Sequence, residues 1–231
     1  MAYFLTRLLD FISPRCCVIC GKRLSTIEEQ ICMPCLFHLP RTNFSRNPLD
    51  NEMARLFWGL MPIERAAALF FYAPHAAPSK AIYALKYGGN KMVGEVLGRM
   101  AASDIASDDF FRGIDMVVPV PLARKRLRQR GYNQSEVIAK GVSYVTGIPL
   151  NTHLIKRKAF HKSQTHLGRW DRMDNVQDMF IAKKGEQAKN KHILLVDDVV
   201  TTGATVLACA EALKNVEGIK ISVLSLGFTK S

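Results

Sequence analysis

Two adjacent carboxylates, Asp197 and Asp198, follow the apolar run Ile193-Leu194-Leu195-Val196 and precede Val199-Val200-Thr201-Thr202-Gly203-Ala204-Thr205. That order suits an anion. The apolar run predicts a buried parallel strand, and open α/β sheets place their ligands at the carboxyl ends of such strands. The Thr-Thr-Gly-Ala-Thr turn predicts a loop entering a helix, whose backbone N–H groups and dipole make a phosphate cradle. Gly203 permits close approach, while Thr201, Thr202 and Thr205 add hydroxyl donors. A helix cap needs one carboxylate and one threonine, so this run exceeds capping. The sequence carries neither a Walker lysine motif nor a Gly-x-Gly-x-x-Gly run, so nucleoside triphosphatase and dinucleotide readings lose support.

A second constellation lies near the start. Five of the six cysteines fall between positions 16 and 35, and Cys17-x-x-Cys20 and Cys32-x-x-Cys35 are separated by 11 residues. Each pair offers two thiolates to one ion, and four soft ligands suit tetrahedral Zn2+. The spacer is shorter than usual for a four-cysteine site, yet a compact hairpin from Gly21 to Ile31 closes it. Nothing indicates secretion, which argues against disulfides. Cys16 is the poorer partner for Cys20 and is taken as a non-ligand. Four ligands fill the tetrahedron, so the expected site is structural.

The elements that must position these groups follow from periodicity. Ala66–Tyr72, Ile114–Pro119, His192–Val196 and Lys220–Phe228 predict strands. Helices are predicted over Glu52–Leu60, Ser79–Tyr87, Lys91–Ala102, Asn133–Thr146 and Gly203–Lys214. Gly185–Asn190 predicts an exposed turn. This alternation predicts α/β architecture with a mostly parallel sheet. Residues 1–40 form an expected front module, with a short amphipathic N-terminal helix before the cysteines. Residues 41–64 read as a connector, and residues 65–231 as the main domain. No apolar run approaches the roughly 18 residues of a membrane span, and the expected location is cytoplasmic. The 32 Lys and Arg against 20 Asp and Glu give +12, concentrated between Arg124 and Arg172. That concentration favours an anion-binding face for nucleic acid or a phosphorylated small molecule.

Apolar strand, Asp-Asp, two residues, then Thr-Thr-Gly-Ala-Thr resembles the ribose-5-phosphate signature of type I phosphoribosyltransferases. The wider chain is similar to the ComF family. The likeness rests on the four cysteines, Leu85-Lys86-Tyr87-Gly88, Val118-Pro119-Val120-Pro121 and Arg130-Gly131-Tyr132-Asn133-Gln134. It continues in Gln164-Thr165, Leu167, Arg172, Asn175-Val176 and Phe180. The resemblance implies an open, mostly parallel sheet with helices on both faces, behind a four-cysteine zinc module. It also implies a ligand, phosphoribosyl pyrophosphate or ribose 5-phosphate, with Mg2+ bridging its oxygens. Carried over, Asp197 and Asp198 face the ribose, and Thr201, Thr202, Gly203, Ala204 and Thr205 hold the 5-phosphate. The loop at Val120 and Pro121 holds pyrophosphate, and Arg124, Lys125, Arg128 and Arg130 neutralise it. Lys86 and Tyr87 are candidates for the cleft, although a lysine at a helix end also serves the dipole. Gln164, Arg172 and Asn175 belong to a flap that would exclude water.

Two functions stay open at this point. One is a phosphoribosyltransferase, or a former one, using phosphoribosyl pyrophosphate. The other is a non-catalytic factor in DNA uptake and natural transformation, binding single-stranded DNA or competence partners and keeping the pocket for ligand sensing. The resemblance implies a transformation helicase and a recombination mediator as partners. No motif names an acceptor.

Overall fold

Ile193, Leu194, Leu195 and Val196 are all fully buried in the computed structural model, which describes residues 14–106, 108–158 and 179–230. Consecutive strand residues face opposite sides, so burial of all four means that both faces of the sheet are covered. Four parallel strands form that sheet: β1 (Arg65–Phe71), β2 (Met116–Pro119), β5 (His192–Val200) and β6 (Lys220–Phe228). Their order is β1-β6-β5-β2. A separate antiparallel pair, β3 (Ile155–Arg157) with β4 (Phe180–Ala182), completes the described strands.

Both sheet edges are covered, which removes the unpaired backbone that invites aggregation. The connector lies along β1: Phe71 donates its N–H to Pro40 O at 2.8 Å, and Ala66 to Pro48 O at 2.9 Å. Buried Asn51 ties it down. Its amide donates to Ala66 O at 2.9 Å, while its oxygen accepts from Met53 and Ala54 and so caps α2 (Glu52–Arg55). That helix is shorter than the predicted Glu52–Leu60; turns close at Phe57 and Met61 instead. On the opposite edge, Val117 of β2 exchanges backbone bonds with Pro149 and Asn151 at 2.9 Å each.

Between the strands run α3 (Ser79–Tyr87), α4 (Lys91–Ala106), α5 (Arg124–Arg130), α6 (Gln134–Thr146) and α7 (Ala204–Glu211). Helices α4 and α6 pack unusually close. A Cβ on Gly98 would sit 2.2 Å from Ile138 O, and one on Gly141 would sit 2.2 Å from Glu95 O. Only glycine fits either position, so the two helix backbones meet at the middle of α6.

The front module is small, with α1 (Met33–Phe37) its only helix among the described residues. Glu28 organises it by accepting from Ser25 N at 2.7 Å and Met33 N at 2.6 Å. Asn90 donates to Gln30 at 2.8 Å and Arg99 pairs with Glu29, docking the module on α4, while Arg41 of the connector pairs with Asp104 at 2.6 Å. The predicted N-terminal helix lies outside the described residues.

Candidate functional site

Strand β5 carries the acidic pair. It runs to Val200 rather than stopping at Val196, because its pairing with β6 continues to Val200 opposite Phe228. The carboxylates therefore lie within the strand, not beyond its end, and adjacent side chains leave in different directions. Asp197 turns to α6, where Ser135 Oγ donates to its Oδ1 at 2.9 Å; the N–H of Asp198 donates to the same oxygen at 2.8 Å. Asp198 turns to the last turn of α3, where Lys86 Nζ lies 3.1 Å from its Oδ2. Burial and the neighbouring Asp198 charge push the Asp197 carboxyl up to about 7, against the pull of those hydrogen bonds and Lys86.

The loop after β5 leads straight into α7. Gly203 sits at φ 74° before the helix, and no side chain caps that helix start. A Cβ at Gly203 would lie 2.9 Å from the Phe57 ring, so both conformation and space require glycine. Thr201 and Thr202 are exposed, and Ala204 and Thr205 half-buried. With Asp197 they line a hollow of about 30 Å³. A larger cleft of about 210 Å³ lies on the far edge by Arg41 and Asp104. Its groups satisfy each other, since Arg41 pairs with Asp104 and Ser45 donates to Asp108 at 2.6 Å.

The other expected residues fall into four groups. Val120 and Pro121 follow β2 beside the site; Val120 donates to Val196 O at 2.9 Å and accepts from Asn133 at 3.0 Å. Arg130 donates to Gln134 at 2.9 Å and lies over the Tyr87 ring, 5.3 Å from its centre. Arg124 and Arg128 project from α5, a helix with no buried residue. Gln164, Arg172 and Asn175 lie outside the described residues. Sequence reasoning missed Ser135 and Tyr83. Tyr83 had a signal, its spacing of four from Tyr87, which puts both on one helix face.

The four cysteines also converge. The Sγ atoms of Cys17, Cys20, Cys32 and Cys35 all lie within 4.8 Å of one another, with Cys20 and Cys32 at 3.6 Å. A tetrahedron with Zn–S bonds of about 2.3 Å spaces its sulfurs by about 3.8 Å, so the donor set fits. Cys32 N donates to Cys17 Sγ at 3.3 Å. Cys16 stands apart, its thiol 3.5 Å from Pro14 O. By chemistry and spacing these four thiols could hold one metal ion. No helix among the described residues is long and apolar enough to cross a membrane.

Residues 87–226 match the phosphoribosyl transferase domain family. DNA utilization protein YhgH of Escherichia coli is 28% identical over 200 residues, covering 85% of this chain and 83% of that protein. Competence protein F of Haemophilus influenzae is 31% identical over 113 residues, 48% of this chain and 49% of its own length. Among solved structures, the glutamine phosphoribosylpyrophosphate amidotransferase of B. subtilis aligns with a TM-score of 0.45 and 18% identity. That alignment covers 63% of this chain and 30% of that one.

Proposed function

We infer that this chain, which belongs to the phosphoribosyl transferase domain family and is a ComF-family protein, binds a ribose 5-phosphate unit at the end of β5. The observation that carries this reading is the uncapped start of α7 behind Gly203, directly after two carboxylates. Backbone donors and the Thr201, Thr202 and Thr205 hydroxyls take the phosphate. Asp198, at the rim, accepts from the ribose hydroxyls, and Asp197 braces it from within. Phosphoribosyl pyrophosphate is the full ligand in this reading. Its leaving group lies toward Val120 and Pro121, where Arg124, Arg128 and Arg130 of the following helix neutralise it. Mg2+ would bridge ligand oxygens and neutralise their charge. Four thiolates in a closed tetrahedron make the front site a structural Zn2+ site.

Calorimetry with phosphoribosyl pyrophosphate and millimolar Mg2+ is expected to show binding. Asp198→Asn loses a charged acceptor and should weaken it about tenfold or more. No heat at millimolar ligand would overturn the reading.

Relatives named for DNA utilization and competence support a cellular role in DNA uptake and natural transformation. A second reading rests on helix α5, Arg-Lys-Arg-Leu-Arg-Gln-Arg, whose basic side chains are exposed apart from half-buried Arg130. Lys183, with Arg124 nearby, holds the Lys156 ammonium below its ordinary value, so the helix and the β3–β4 hairpin form one cationic surface. Such a surface suits single-stranded DNA, with the transformation helicase and recombination mediator as protein partners. With about three phosphates contacted, affinity for a single strand should fall roughly twentyfold between about 50 and 200 mM salt. A flat salt dependence would exclude this account.

A further inference from the structure

The connector, the end of α4 and the middle of β1 enclose the cleft of about 210 Å³, and its walls carry opposite charge. Arg41, Ser45 and Arg46 line the connector side, while Asp104 and Asp108 line the helix side. Ala68, Leu69 and Ile105 are its buried apolar part. Two polar contacts are made within the walls. Arg41 Nε donates to Asp104 Oδ2 at 2.6 Å, and Ser45 Oγ donates to Asp108 Oδ2 at 2.6 Å. Neither answers the charge of Arg46 or that of Asp108. Among the described residues Arg46 has no side-chain partner, and Asp108 forms no ion pair. A guanidinium and a carboxylate therefore line one small space without touching each other. Strand β6 lies between β1 and β5, so this space is separate from the loop after β5.

We propose that this cleft binds a free α-amino acid with a small aliphatic side chain, its carboxylate on Arg46 and its ammonium on Asp108. The wall charges balance, two arginines against two aspartates, so the cleft exerts no net pull on a polyanion. A simple anion would leave Asp108 unanswered, and a simple amine would leave Arg46 so. A zwitterion answers both. Size narrows the class further. At roughly 30 Å³ per water the cleft holds about seven waters, which is room for an amino acid but not for a nucleotide. A charge-assisted hydrogen bond at each end is stronger than a neutral one and fixes the ligand's direction. The side chain then falls on Ala68, Leu69 and Ile105, an apolar surface that suits an aliphatic group. Arg41 also donates to Leu36 O at 3.0 Å, so it is held from two sides and stays part of the wall. Occupancy of the cleft does not depend on the phosphate cradle.

Saturation-transfer NMR on the whole protein, titrated in turn with L-valine, isovalerate and isobutylamine, tests this. The last two are valine without its ammonium and valine without its carboxylate. L-valine is expected to bind with a Kd of roughly 1 mM or tighter. Each truncated compound should bind about tenfold more weakly or worse, because one charged hydrogen bond is lost. Arg46→Gln and Asp108→Asn should each weaken L-valine by a similar factor. Arg46 is exposed and has no side-chain partner to lose, and asparagine keeps an oxygen to accept from Ser45. Both variants should therefore stay folded, with the Tm of the parent. No binding of L-valine at about 10 mM overturns the proposal, since even a small ligand in a fitted cleft binds more tightly. Equal affinity for isovalerate or for isobutylamine also overturns it, by making the cleft a site for one charge alone. L-valine binding that neither variant weakens lies elsewhere on the protein and overturns it too.

Discussion

Replacing Cys32 with serine is expected to release the bound metal and unfold residues 14–40. Cys32 is 5% exposed, and its sulfur lies 3.6 Å from that of Cys20 at the centre of the four-thiol cluster. Apparent binding free energies of structural zinc reach about 10–16 kcal/mol, as large as the stability of a whole domain. The module has little else. Ile19, Leu24, Ile31 and Leu39 are its buried aliphatic residues outside the cluster, and Glu28 supplies two hydrogen bonds. A core of that size does not hold a fold without a staple. Metal content by atomic emission should drop from one zinc per chain to near zero, and proteolysis should begin before Pro40. The sheet has its own core and should survive, with a lower Tm because Gln30–Asn90 and Glu29–Arg99 no longer pin α4. Cys16→Ser is the control and should keep its zinc. Full metal content in Cys32→Ser would remove the cluster from consideration as a zinc site.

The two sites differ in how far the sequence could show them. Doubled Cys-x-x-Cys spacing is local, so the four cysteines that converge were readable before any fold was known. Helix α3 was equally readable, because Pro78 and Gly88 bracket a periodic segment, and its observed limits are those predicted. Helix α5 was not read as an element. Arg-Lys-Arg-Leu-Arg-Gln-Arg has one apolar residue, and that residue is exposed, so no hydrophobic stripe marks it. Strands β3 and β4 span three residues each and pair across more than twenty positions, so no local pattern announces them. The end of β5 was misjudged for a related reason. Its last four residues are strand because β6 runs beside them, and a partner strand is not a local signal. That misjudgement hid the divergence of the acidic pair. Once Asp197 and Asp198 are strand residues, alternation alone sends one toward α6 and the other toward α3.

Asp197→Asn should change the pH dependence of stability more than any other conservative substitution near the site. The Asp197 carboxyl is pushed up to about 7 by burial and by Asp198, whereas an unfolded aspartate ionises near about 3.9. Below about pH 4 both states hold the proton, and ionisation contributes no difference. Between about pH 4 and 7 the unfolded chain releases it while the folded chain retains it, so stability falls by about 1.4 kcal/mol per unit. The loss totals roughly 4 kcal/mol and is complete above about pH 7. Asparagine keeps an oxygen to accept from Ser135 and from the Asp198 N–H, but it does not titrate. The variant should therefore match the parent near pH 4 and exceed it at pH 8, read by urea denaturation at both pH values. Parallel curves across the range would show that Asp197 ionises normally. The raised value also has a consequence for ligand binding. A proton on Asp197 leaves Asp198 as the single charge of the pair, and Lys86 already offsets that charge. At and below neutral pH the strand end therefore presents hydrogen-bonding oxygens without the double negative charge that would repel a phosphate from the loop beside it.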